Sequence, residues 1–221
     1  MTYQEVLQNL GETTERALVS HLQQYLDGSI TLDMLTDLSV VVISTAQQQG
    51  RIAAELSFLA WLQSAGFAAE PVAAAQVAHY ADTGRLRKAV GTVVGTGVLD
   101  PEVTAQRLGR LAYSEAVESS QAAFAEAMRE SGVVEGWTRG LEPGACELCR
   151  WWSREGRVWP VDHTMPTHKG CTCTPVPAVE YGDISVSSEA ARASRVRAAQ
   201  GSYAERQQSG YADSKRESRK R

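Results

Sequence analysis

The chain lacks most of the features that would place it in a membrane, an export pathway or a β-rich fold. No run of about 18 apolar residues occurs, so no membrane span is expected. The first residues, Met1-Thr2-Tyr3-Gln4-Glu5, contain no charged segment leading into an apolar one, so no secretory signal is expected and the working compartment is read as cytosol. Up to residue 132 no alternating apolar and polar run is long enough for a sheet. Cysteine is absent before Cys146, and large aliphatic residues are scarce after Tyr181. Cations are also thin where they would matter for phosphate binding. Residues 1–135 carry 8 Lys/Arg against 16 Asp/Glu, a balance of −8, and residues 136–221 carry 14 against 10, a balance of +4. The long acidic part is therefore a poor nucleic-acid surface.

The 221 residues are 43% hydrophobic, enough to bury a core. From Tyr3 to Leu26, Val6, Leu7, Leu10, Leu18, Val19 and Leu22 recur at three- and four-residue spacing, which predicts an amphipathic helix with a candidate bend at Gly11. A second helical pattern opens at Thr31 and runs to about Ala65, with Gly50 a candidate break. Glu70-Pro71 and Asp100-Pro101 each set a carboxylate before proline, a helix-start pattern, and the second launches a helix that Gly132 ends. These elements predict a mainly α protein, with a helical bundle over residues 1–135.

Composition changes between Gly136 and Pro177, which hold all four Cys, four of the five Trp and five of the seven Pro. A small turn-rich module is expected over residues 136–181, with a hairpin turning at Glu155-Gly156 between Trp152 and Val158 and a further strand over Cys173 to Val179. Residues 182–221 are rich in Ser, Ala, Arg and Gln and read as a flexible basic tail.

Cys146 and Cys149 form one pair with a two-residue gap, His168 and Cys171 another, with 18 residues between the pairs. This is the spacing of a structural zinc site, in which two tight turns aim thiolate and imidazole ligands at one tetrahedral ion. Cys173 lies two residues beyond Cys171, so Cys146, Cys149, His168, Cys171 and Cys173 are five candidates for four positions. Cys171 repeats the gap of the first pair, and Cys173 shares its face in an extended segment. Four protein ligands leave no open position for a catalytic water.

Val161-Asp162-His163, followed by Pro166 and Gly170, has the look of an HNH nuclease core with His163 as general base. That reading lacks its downstream metal residue, because the only asparagine is Asn9 and no histidine follows His168. His21 and His79 fall in amphipathic helical stretches and read as packed helix residues. Trp151, Trp152 and Trp159 are read either as core of the small module or as an anchor for a partner.

The string Gly144-Ala145-Cys146-x-x-Cys149, Gly156-Arg157-Val158, Pro166-x-His168-x-x-Cys171-x-Cys173 and Pro175 resembles the C-terminal module of phage Mu protein F-like minor capsid (head morphogenesis) proteins, actinobacteriophage members in particular. The helix from Gln106 to Met128 and the following Gly136-Trp137-Thr138-Arg139 are similar to the segment preceding that module. The resemblance implies a non-enzymatic virion protein in the capsid interior or at the portal vertex, assembled in host cytoplasm, with the portal protein or major capsid protein as partner. Self-association and weak, non-specific DNA contact through the tail are further expectations. The alternative is a zinc-containing nucleic-acid-binding protein or HNH-like nuclease. Some relatives are fused to a protease or toxin domain, for which this chain has no room.

Overall fold

The computed structural model describes residues 2–67, 81–95 and 100–178, all within one compact unit, Met1–Val179. The Glu70-Pro71 helix start, His79 and the tail over residues 182–221 lie outside the described residues.

Four helices, α1 (Tyr3–Leu26), α2 (Leu32–Ser64), α3 (Thr83–Val94) and α4 (Pro101–Glu130), build the bundle. Each starts on a side chain that satisfies otherwise unpaired amides. Thr2 accepts from the Glu5 amide while the Glu5 carboxylate accepts from the Thr2 amide, a reciprocal cap. Thr31 accepts from Met34, and Asp82 from Arg85. Asp100 accepts from Glu102 and Val103, with Pro101 in the first turn as the sequence predicts.

Neither expected glycine irregularity occurs, since α1 runs unbroken through Gly11 and α2 through Gly50. Both are packing residues. A Cβ on Gly11 would lie 2.6 Å from the Tyr113 ring, and one on Gly50 would lie 3.0 Å from the Ser120 Cβ and 3.2 Å from the Ala116 carbonyl oxygen. The glycines let α4 approach α1 and α2 closely. At the second crossing the Ser120 hydroxyl donates to the Gly50 carbonyl (2.7 Å), and the Tyr3 hydroxyl lies 2.8 Å from it.

One apolar core joins Leu18, Leu22, Leu35, Ile43, Leu86, Val90 and Leu108. A second joins Phe58, Phe124 and Met128 of the bundle to Trp137 and Met165 of the module. The three-stranded antiparallel sheet has order β2 (Trp159–Pro160), β1 (Gly136–Gly140), β3 (Thr174–Ala178). The strand expected over Cys173 to Val179 is therefore present. The hairpin at Glu155-Gly156 is not, because Trp152 belongs to a short helix, α5 (Glu147–Ser153), started by the Cys146 sulfur accepting the Cys149 amide. The chain leaves α5 through Arg154, Glu155 and Gly156, all at positive φ, and β2 pairs with β1 instead of with an adjacent strand.

Filling the α2–α4 crossing tests the packing role of Gly50. Gly50→Leu must displace backbone, so chemical denaturation followed by circular dichroism is expected to show a loss of about 1–3 kcal/mol.

Candidate metal centre

β1 places the first residue that the cysteine cluster needs. Trp137 and Arg139 are both buried along it, at the two-residue period of a strand. Trp137 enters the apolar core, and Arg139, 5% exposed, follows it inward to the sulfurs. Its Nη1 donates to the Pro166 carbonyl (2.8 Å), and its Nη2 donates to Cys149 Sγ (3.4 Å) and Cys171 Sγ (3.7 Å). Beyond β1 the Cys146 cap and the first turn of α5 carry two sulfurs. The turn at Gly170, with φ +82°, returns His168 and Cys171 to them, and the Cys171 amide donates to the His168 carbonyl (3.1 Å).

All five predicted residues meet in this one region. His168 Nε2 lies 3.2 Å from Cys146 Sγ and 3.1 Å from Cys149 Sγ, and Cys149 Sγ lies 3.5 Å from Cys171 Sγ. Two overlapping sets of ligand atoms result: Cys146, Cys149 and His168, and Cys149, Cys171 and Cys173, with atoms in each set within 4.8 Å of one another. Cys149 belongs to both. A tetrahedral ion with metal–sulfur bonds of about 2.3 Å and metal–nitrogen bonds of about 2.0 Å separates its ligand atoms by about 3.5–3.8 Å, and the two His168–sulfur distances and the Cys149–Cys171 distance are within about half an ångström of that. The cluster can hold a metal ion.

The sulfurs sit in unlike surroundings. Cys149, Cys171 and Cys173 are buried and Cys146 is exposed. The Cys149 amide holds the Cys146 thiol below its ordinary range, whereas burial pushes Cys149 up against the opposing pull of Arg139. A hydrogen bond from Cys171 draws Cys173 down, helped by the Glu142 amide at 3.5 Å.

The family model described as VG15 protein matches residues 1–205. The chain belongs to the VG15 protein family. This is a phage-associated family. No curated protein and no solved structure matches the chain. Among the described residues of this VG15 protein, no helix is long and apolar enough to cross a membrane.

Arg139, Gln121 and Glu142 are site residues that spacing arguments miss. Gln121 on α4 donates from Nε2 to the carbonyls of both Cys171 and Cys173 at 2.8 Å. Glu142 accepts from the Thr172 amide (2.9 Å) and the Thr172 hydroxyl. The available signal was the alternation of Trp137 and Arg139 in β1; nothing local marks Gln121. The three tryptophans part company: Trp151 is 57% exposed, Trp152 packs on the cysteines, and Trp159 borders the second core.

His163 does not join the ligand sets. Its ring stacks on Trp159 (centroids 4.5 Å apart, planes 11° apart), its amide donates to the Pro160 carbonyl (2.9 Å), and its carbonyl accepts from Trp137 Nε1 (3.0 Å). Burial lowers its pKa more than the Asp162 carboxylate raises it, and Arg157 acts in the same direction as burial. The fold thus favours neutral imidazole. Its contribution to stability is fully present above an unfolded-state pKa of about 6.5 and is lost as pH falls on through the lower folded-state pKa. A proton NMR titration is expected to place the His163 midpoint below that of a histidine in an unfolded peptide.

Proposed function

We propose that this VG15 family protein is a non-enzymatic minor capsid protein of the phage Mu protein F-like type, acting in head morphogenesis at the portal vertex or capsid interior. The observation that carries the reading is the meeting at Cys149 of two ligand sets, Cys146, Cys149 and His168 on one side and Cys149, Cys171 and Cys173 on the other, built from the same string that resembles the minor capsid module. Family membership gives the phage setting. Contact with the portal or major capsid protein is the activity proposed, with the protein assembled in host cytoplasm and retained in the virion. Residues 183–221, with 9 Lys/Arg against 5 Asp/Glu, add weak, salt-sensitive DNA contact at most.

The cluster is proposed as a structural zinc site. Thiolate and imidazole donors suit zinc, and filling four positions with protein ligands makes the ion a staple. Cys171 is assigned as fourth ligand because its sulfur is the one 3.5 Å from Cys149 and shares the Arg139 guanidinium, while the Cys173 sulfur accepts from the Glu142 amide. The nuclease alternative is disfavoured by His163, whose ring is stacked on Trp159 and stands apart from the ligand sets.

Metal analysis of protein purified without chelator is expected to give one zinc per chain, lost in Cys149→Ser and Cys171→Ser and kept in Cys173→Ser. Absence of stoichiometric zinc from the wild-type chain defeats the staple. For the capsid role, coexpression with the portal and major capsid proteins is expected to yield a nuclease-resistant complex, and purified virions are expected to contain this chain. Its absence from virions overturns the assignment whatever the metal result.

A further inference from the structure

Among the described residues, two charged side chains are buried, Glu115 and Arg139. Glu115 is answered in kind, since Arg85 donates to both of its carboxylate oxygens. Arg139 has no carboxylate within salt-bridge distance among the described residues. A guanidinium keeps its proton inside a protein, so it cannot shed the charge, and burying it without an opposite charge is unfavourable.

Its neighbours show where that opposite charge must lie. Nη1 donates to the Pro166 carbonyl, Nη2 reaches Cys149 Sγ and Cys171 Sγ, and Nε has no hydrogen-bond partner. The Trp152 ring centre lies 5.2 Å from Cζ. Of these groups only the sulfurs can carry a full negative charge. Neutral thiols do not carry it, and metal-bound thiolates do.

The amount of charge follows as well. One guanidinium balances one negative charge, and a divalent ion on three thiolates and a neutral imidazole carries that much. Four thiolates double it, and two thiolates with two imidazoles cancel it. The other charges beside the cluster leave this balance in place. Lys169 is paired with Glu118, and Glu147 and Arg150 on α5 are exposed and of opposite sign. The Glu142 carboxylate accepts from the Thr172 amide and hydroxyl, and its charge opposes a further thiolate at Cys173.

We infer that Arg139 is the specificity-determining residue of the metal centre, whose fixed charge limits the cluster to one divalent ion on three thiolates and one imidazole. The inference rests on the reading of the cluster as a metal site and assigns its ligand composition to a residue that is not a ligand.

Zinc affinity of the full chain, measured by competition with a chromophoric chelator, is the test. Arg139→Met is expected to raise the dissociation constant about ten- to a hundredfold, and Arg139→Lys by less, since it keeps the charge. A double-mutant cycle separates charge from shape. Cys171→His, which makes the site neutral, is expected to weaken binding by more in the wild-type chain than in Arg139→Met. His168→Cys, which adds a negative charge, is expected to do the reverse. An arginine needed only for its bonds to Pro166 and the sulfurs does not produce these opposite signs. Cobalt(II) bound to the wild-type chain gives a readout that needs no substitution, with the thiolate charge-transfer and ligand-field absorption of three sulfurs and one nitrogen expected. Equal affinity in wild type and Arg139→Met, equal effects of Cys171→His in both backgrounds, or a four-sulfur cobalt spectrum overturns the inference and leaves the metal site standing. A wild-type chain that takes up neither zinc nor cobalt defeats the metal reading itself, and the inference with it.

Discussion

The cysteine cluster depends on a hydrogen bond made from the bundle. The carboxamide of Gln121, buried on α4, donates to the carbonyls of Cys171 and Cys173 at 2.8 Å each. Those carbonyls belong to a buried segment with no helix of its own to satisfy them, and an unmet buried acceptor costs about 1–3 kcal/mol. One residue earlier, Ser120 donates to the Gly50 carbonyl and touches the Tyr3 hydroxyl. Adjacent positions on α4 therefore fasten opposite sides: Ser120 locks α1 and α2, and Gln121 locks the sulfur-bearing loop. The contact distances tolerated at Gly11 and Gly50 set where α4 runs, and so where Gln121 stands.

In the zinc reading Arg139 answers a second problem, that of placing metal-bound thiolates in a dry interior. A buried guanidinium is unfavourable alone and so are buried thiolates; side by side, with the Pro166 carbonyl taking another N–H, each offsets the other. In the zinc reading the sum is informative. A divalent ion with three thiolates and a neutral imidazole carries one negative charge, which a single arginine balances. A fourth thiolate in place of the imidazole leaves a surplus. The Glu142 amide on Cys173 and the Glu142 carboxylate on Thr172 order the remaining thiol without a further cation.

Much of this was legible in the sequence wherever the determining interaction is local. The Asp100-Pro101 start reads correctly because a cap acts within three residues, and the cysteine and histidine gaps, equally local, bring their side chains into one region. Gly50 misleads, since a glycine required by a helix crossing is locally identical to one that ends a helix; only Ser120 and Ala116, some seventy residues away, distinguish them. The Glu155-Gly156 turn misleads for a related reason. Its residues do adopt the left-handed conformation that a hairpin can use, but they follow a helix whose start depends on the Cys146 sulfur, a weak capping acceptor outside the usual set. Gln121 had no local signature at all.

The module has two supports of different chemistry, and they divide its stability. Trp137, on the central strand, sits in an apolar core with Phe58, Phe124 and Met128, while β1 pairs with β2 and β3 on either side. Burial of that tryptophan and the strand ladder do not involve the sulfurs. By contrast Ala145, Cys149, Cys171 and Cys173 make a core of four small residues roofed by Trp152, too little apolar area to hold α5 and the Gly170 turn in place by itself. The cluster is therefore the part that needs a staple, and the strand beneath it is the part that does not. A break at the sulfurs acts on α5 and the Gly170 turn, while β2 stays paired with β1 and Trp137 keeps its contacts with Met165 and the His163 carbonyl. The contacts that hold the bundle and β1 are thus distinct from those at the sulfurs, a separation produced by where the buried Trp137 is placed.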